Sequence, residues 1–90
     1  MMDIIFSPEA DEDYKYWKEN NPFIVKRIKH LLKDLSEHPY TGIGKPEKLK
    51  YELSGKWSRR INEKHRIVYV VREVENEIYI LALRYHYTKK

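Results

Sequence analysis

The chain has 90 residues, a formal net charge of +4, 41% hydrophobic and 13% aromatic side chains, and no cysteine. That is room for one domain over residues 1–90, with a thin core and a composition unlike that of disordered chains. The missing cysteine excludes disulfides, thiolate zinc sites and cysteine nucleophiles, and no apolar run approaches the ~20 residues of a membrane span.

Residues 2–6 are short, apolar and β-branched, and predict a strand; they lack the basic and apolar regions of a signal peptide, so a cytoplasmic protein is expected. Ser7-Pro8-Glu9 reads as a helix start: a capping hydroxyl, a proline for the first turn and an acid at the positive dipole end. Ala10, Tyr14 and Trp17 then share one helical face. Asn20-Asn21-Pro22 ends that helix and opens a second, with Ile24, Ile28, Leu31, Leu32 and Leu35 at helical spacing, so the pair forms a helical hairpin. Pro39 closes it. Residues 38–46 hold two glycines and two prolines and predict a loop.

Everything beyond reads as β. Leu49 to Leu53 predicts a short strand, Ser54-Gly55-Lys56 a turn, Trp57 to Asn62 and Ile67 to Arg72 two further strands. Glu73 to Glu77 predicts a charged turn, and Ile78 to Tyr85 a final buried strand. Turns this short make these strands antiparallel neighbours. The expected fold is α+β, an N-terminal strand and helical hairpin packed on an antiparallel sheet.

Charge is unevenly placed. Residues 1–45 hold 7 Lys/Arg against 8 Asp/Glu, and residues 46–90 hold 11 against 6. A basic half suits a polyanion or an acidic protein as partner, a plain solvated surface being the alternative. No glycine-rich loop opens a helix, so nucleotide fingerprints are lacking, and the four histidines show no metal-ligand spacing; neither a metal nor a cofactor is expected.

Three features carry chemistry. His86, in Arg84-Tyr85-His86-Tyr87, follows the buried run and suits giving and taking a proton near neutral pH; the competing view is a surface strand end. Glu47 lies among Lys45, Lys48 and Lys50, and an acid in such company is suited to accept a proton; otherwise it is part of a charged loop. Arg59-Arg60 on one strand and His65-Arg66 on the next gather guanidinium groups that can grip phosphate, unless they are cross-strand charges on a solvent face. Together these match RNA cleavage by its own 2′-hydroxyl: Glu47 as base, His86 as acid, Arg66 as clamp, with Tyr85, Tyr87 and Trp57 to stack on an unpaired base.

The stretch Gly42 to Lys50, then Leu53 to Ile61, then His65 to Tyr69, ending in Arg84-Tyr85-His86-Tyr87, strongly resembles the YoeB (Txe/YoeB) toxins of the RelE-like superfamily, as do Tyr14, Tyr16 and Trp17. The resemblance implies a toxin of a type II toxin–antitoxin system with the RelE-like α+β fold. It implies an mRNA interferase that cuts mRNA in the ribosomal A site and stops translation. A YefM/Phd-type antitoxin is implied as partner, together with a homodimer. Position by position, it gives Glu47 as general base, His86 as general acid, Arg66 on the phosphate and Tyr87 as the tyrosine needed for activity. Lys50 and Arg60 fall at further basic RNA contacts, and Lys45 and Arg59 join them as expected RNA-binding residues. One departure stands out: family chains commonly end at the tyrosine matching Tyr87, whereas Thr88-Lys89-Lys90 follows here. Two other readings fit the same scaffold, a ParE-like gyrase-binding toxin and a module that blocks the ribosome without cutting.

Overall fold

Two capping residues set the helical hairpin. The Ser7 side chain accepts the Ala10 N–H at 3.0 Å and opens α1 (Pro8–Asn20). Asn21 serves both helices: its N–H donates to the Trp17 carbonyl at 2.8 Å, ending α1, and its side chain accepts the Ile24 N–H at 3.4 Å, opening α2 (Pro22–Glu37). Each proline sits at the first helical position, where the missing N–H costs nothing. The structure is a computed structural model and describes residues 1–85.

The five strands are β1 (Asp3–Phe6), β2 (Glu47–Lys48), β3 (Trp57–Arg60), β4 (Arg66–Arg72) and β5 (Glu77–Ala82). They form one sheet in the order β1-β5-β4-β3-β2. The β2–β3, β3–β4 and β4–β5 pairs are antiparallel as expected, while β1 adds to β5 as a parallel edge strand, making the sheet mixed. Parallel pairing is possible because the whole helical hairpin intervenes between β1 and the rest of the sheet.

Three strand expectations need correction. Leu49 to Leu53 is not a strand: β2 is over by Lys48, and Tyr51–Leu53 forms a single 3-10 turn, with Tyr51 at φ 58 breaking the extended chain. β3 stops at Arg60, because the Ile61 and Asn62 amides both turn to the His65 carbonyl. The final ladder ends at Ala82 rather than Tyr85.

The core lies between the hairpin and one face of the sheet. Ile28, Leu31 and Leu35 of α2 and Ala10 and Trp17 of α1 pack with Ile67, Tyr69, Ile78 and Ile80. Truncating one of these to alanine costs about 2–5 kcal/mol in such cores. No helix among the described residues is long and apolar enough to cross a membrane.

Arg59 ties the loop between α2 and β2 to this core. Its side chain is fully buried. Nε donates to the Tyr69 hydroxyl at 3.1 Å; Nη1 donates to Asp34 Oδ2 at 2.6 Å and to the Ile43 carbonyl at 3.1 Å. Nη2 donates to the carbonyls of His38 and Thr41. The Tyr69 hydroxyl in turn donates to the Pro39 carbonyl at 2.8 Å. Close approach here requires glycine at 42, where φ is +123 and a Cβ would stand 2.0 Å from Asp34 Oδ2. Burial pushes the Tyr69 phenol up from its ordinary range, partly offset by the guanidinium. For Asp34, burial alone would raise the pKa, but the Arg59 hydrogen bond, the Ile43 amide and the Arg59 charge together hold it below its ordinary value.

A carboxylate with a depressed folded pKa stabilises the fold above its unfolded pKa of 3.8, and that contribution is lost as pH falls through the lowered folded value. Asp34→Asn is therefore expected to lower unfolding free energy by about 3 kcal/mol at pH 7, the range for breaking a buried pair. Urea titrations from pH 7 down to pH 3 should show the gap to wild type narrowing only at the acidic end.

Candidate active site

Strand alternation sorts the two adjacent arginines onto opposite faces. Arg59 points to the helices, as its bond to Asp34 shows. Arg60 is exposed on the other face, directly opposite Arg66 across the β3–β4 pair. Glu47 pairs with Ser58, which is two residues from Arg60 and shares its face. Glu47, Arg60 and Arg66 thus stand on one sheet face, over a row formed by Ser58, Val68 and Ala82. All three of those residues are small or β-branched and buried, which leaves the longer charged chains to define the surface.

The three charges feel one another. Arg66 lies below its ordinary pKa, first because it is partly buried and then because Arg60 repels it, while Glu47 partly restores it. Two guanidinium groups held side by side beside one carboxylate are short of negative charge, a good starting point for gripping phosphate. Nη1 of Arg66 is held by carbonyls of the β3–β4 turn, Asn62 at 2.9 Å and Glu63 at 3.2 Å, which fixes the direction of the guanidinium.

The loop delivers Glu47. Gly44, at φ +81, packs where a Cβ would lie 2.7 Å from Leu31 Cδ2, and its carbonyl accepts the Arg60 N–H at 2.6 Å. Lys45 follows with φ 53, turning the chain into β2. Lys45 and Lys50 are exposed on either side of β2, and a shallow cavity of about 290 Å³ runs along residues 47–53.

Two expected RNA contacts are corrected. Arg59 cannot reach RNA, because it has no exposed surface and all five N–H groups are spent on the protein. Trp57, opposite Tyr69, shares Arg59's face rather than Glu47's, and its ring tilts against Tyr40 at 5.1 Å. His65 also leaves the cationic patch: it is 8% exposed, and its Nδ1 accepts the Tyr85 N–H at 2.7 Å, so that nitrogen carries no proton. His86 and Tyr87 lie outside the described residues. The described chain reaches Tyr85, whose carbonyl accepts the Arg66 N–H at 3.0 Å.

Sequence reasoning missed Asp13 and the role of Trp17. Asp13 Oδ2 accepts the Leu83 N–H at 2.9 Å, and Trp17 Nε1 donates to the Leu83 carbonyl at 2.8 Å. Nothing in the local pattern of α1 marks Asp13 among its acidic neighbours Asp11 and Glu12.

Two helices packed on a five-stranded mixed sheet make this an α+β fold of the RelE-like kind. A family model for the YoeB-like toxin of bacterial type II toxin–antitoxin systems matches residues 6–87. Toxin YoeB of Escherichia coli K12 is 51% identical over 86 residues, covering 96% of this chain and all of the relative. Among solved structures, the YoeB–YefM heterotetramer of Staphylococcus aureus matches at TM-score 0.85 and 50% identity, covering 97% of this chain and 99% of the other. The YoeB dimer of the same organism matches at TM-score 0.86 and 50% identity, covering 96% and 98%. The chain belongs to the YoeB-like toxin family and is a toxin component of a type II toxin–antitoxin system.

The contrast between neighbouring arginines is directly measurable. Arg59→Lys, which cannot replace five fixed donors, is expected to cost about 3 kcal/mol of unfolding free energy. Arg60→Lys should stay within about 0.5 kcal/mol of wild type, as exposed substitutions do. Chemical denaturation of the two variants checks both.

Proposed function

We propose that this toxin is a ribosome-dependent mRNA endonuclease that cleaves RNA without a metal ion and so halts translation in the cytoplasm. The observation supporting this reading is the gathering of Glu47, Arg60 and Arg66 on one sheet face, with the backbone of Tyr85, the residue before His86, bonded to Arg66. Glu47 takes the proton from the RNA 2′-hydroxyl. The 2′-oxygen then bonds to phosphorus, and the bond from phosphorus to the 5′-oxygen breaks. His86 gives its proton to that departing oxygen. The products carry a 2′,3′-cyclic phosphate (or the 3′-phosphate formed from it) and a 5′-hydroxyl. Arg66, supported by Arg60, neutralises the extra charge on the phosphorus oxygens at the transition state. By likeness to the family, Tyr87 is the tyrosine needed for activity, and Lys45 and Lys50 hold the flanking phosphates.

The attacking oxygen and both proton carriers come from RNA and protein, so the cleavage step itself needs no water or metal; a water is consumed only when the cyclic phosphate opens to the 3′-phosphate. Geometry supplied by the ribosome is the remaining requirement, since orientation alone contributes several kcal/mol to such reactions. The Staphylococcus aureus relatives are a YoeB–YefM complex and a YoeB dimer. By likeness this toxin pairs with a YefM-type antitoxin and forms a homodimer.

Glu47→Ala and His86→Ala are each expected to slow single-turnover cleavage of ribosome-bound mRNA about 100-fold or more. Wild-type rates in either variant would overturn the assignment. Arrested translation with intact mRNA would instead mark a toxin that only blocks the ribosome. Cleavage should persist in EDTA when enough magnesium remains to keep ribosomes assembled.

The antitoxin segment that covers the basic face should be acidic, for the same electrostatic reason that RNA is attracted there. Its association rate is expected to fall as salt rises from 50 to about 500 mM, over which the Debye length shrinks by about threefold. Stopped-flow binding at several ionic strengths checks this.

A further inference from the structure

The sheet ladder ends at Ala82, yet the backbone of the next three residues is not left to solvent. Side chains take over from strands. Ser7 Oγ donates to the Leu81 carbonyl at 3.0 Å. Leu83 is bonded at both ends of its peptide groups, its N–H to Asp13 Oδ2 at 2.9 Å and its carbonyl to Trp17 Nε1 at 2.8 Å. The Tyr85 N–H donates to His65 Nδ1 at 2.7 Å. The Trp17 and His65 rings meet edge to face, 4.8 Å between centroids, so these two anchors pack against each other. Between these anchors, Arg84 lies over the Tyr16 ring at 3.5 Å.

The anchoring groups offer little free surface. Trp17 is 6% exposed and His65 8%, and Asp13 sits on α1, half-buried. Burial raises the Asp13 pKa, while the Leu83 hydrogen bond and the Arg84 charge act in the opposite direction. A half-buried carboxylate, an indole N–H and an imidazole nitrogen all spent on two residues of backbone fix the course of that backbone closely.

We propose that Asp13, Trp17 and His65 are positioning residues for catalysis: they clamp the backbone of Leu83 and Tyr85 and so set the geometry from which the residue at 86 acts. The inference rests on the ribonuclease reading, because it is His86 that makes the course of this segment matter. The clamp joins α1, which carries two of the anchors, to the β3–β4 connection, which carries His65 and leads into Arg66. One rigid unit thereby sets the acid's point of departure relative to the phosphate clamp. Errors of about 1 Å in such placement cost up to about 100-fold in rate.

The test uses single-turnover cleavage of ribosome-bound mRNA by full-length toxin. Trp17→Phe removes the indole donor and keeps a ring. His65→Phe removes the acceptor, and Asp13→Leu removes the carboxylate. Each is expected to lower the maximal rate about tenfold or more while the toxin concentration giving half-maximal rate, which reports ribosome binding, moves less than about twofold. Asp13→Asn keeps an oxygen to accept the Leu83 N–H and should recover most of the rate lost in Asp13→Leu. Amide hydrogen exchange should show Leu83 and Tyr85 losing protection while Ile67 and Ile80 keep theirs.

If wild type cleaves and all three variants cleave at its maximal rate, the clamp has no catalytic role and the proposal fails. It fails too if Asp13→Asn is as slow as Asp13→Leu, or if the rate falls only together with protection of Ile67 and Ile80, which marks general destabilisation. Should wild type itself not cleave ribosome-bound mRNA, the ribonuclease reading is at fault, and the exchange data still report whether the clamp exists.

Discussion

A buried guanidinium tolerates burial only when every N–H is satisfied, and Arg59 meets that demand by gathering otherwise separate parts of the chain. One carboxylate from α2, one phenol from β4 and three carbonyls from residues 38–43 converge on it. The loop between helices and sheet packs Ile43 on the core and Tyr40 on Trp57. Its carbonyls also solvate the Arg59 charge. The glycine at 42 follows from the same requirement, since a side chain there would displace Asp34. Glu47 emerges from the end of this loop, so the position of the proposed base is ultimately set by a residue on the opposite face of the sheet.

The chain uses charge in two ways on a single strand. Arg59 and Arg60 are adjacent, but the period of two sends one into a satisfied interior network and the other to the surface beside Arg66. The first pair, Arg59 with Asp34, stabilises. The second, Arg60 with Arg66, repels, and Arg66 titrates below its ordinary value partly for that reason. Such repulsion is tolerable on a surface that acquires a polyanion or an acidic partner, and it is a reason to expect that free toxin and bound toxin differ in stability.

Much of this was legible from local pattern. The spacing of Ile28, Leu31 and Leu35, the caps at Ser7 and Asn21, and the hairpin strands all rest on short-range rules, and the structure follows them. What escaped reading depends on distant contacts. Parallel docking of β1 on β5 leaves no trace in either segment alone. Two adjacent arginines read alike in the sequence, as parts of one RNA-binding patch, and only Asp34, 25 residues away, reveals that Arg59 is buried. Leu49 to Leu53 has strand-like composition, but Tyr51 takes a left-handed φ that composition does not signal. Asp13 has the same character: its meaning lies in Leu83, 70 residues on. For the proposed site, Glu47 and Arg66 are expected from chemistry and from likeness to a family, and the sheet register puts them on one face with β3 between their strands. His86 and Tyr87 rest on the sequence.

The central claim is that the nucleophile belongs to the RNA. It is tested most directly by programming ribosomes with mRNA that carries a single 2′-deoxynucleotide immediately 5′ of the scissile phosphate in the A-site codon, next to an all-ribose control. The toxin should cut the control to leave a 2′,3′-cyclic phosphate or 3′-phosphate and a 5′-hydroxyl, and should leave the deoxy-substituted message intact at that bond. Cleavage of both messages at the same bond and the same rate would mean that water or a protein group attacks the phosphorus, and would contradict the mechanism.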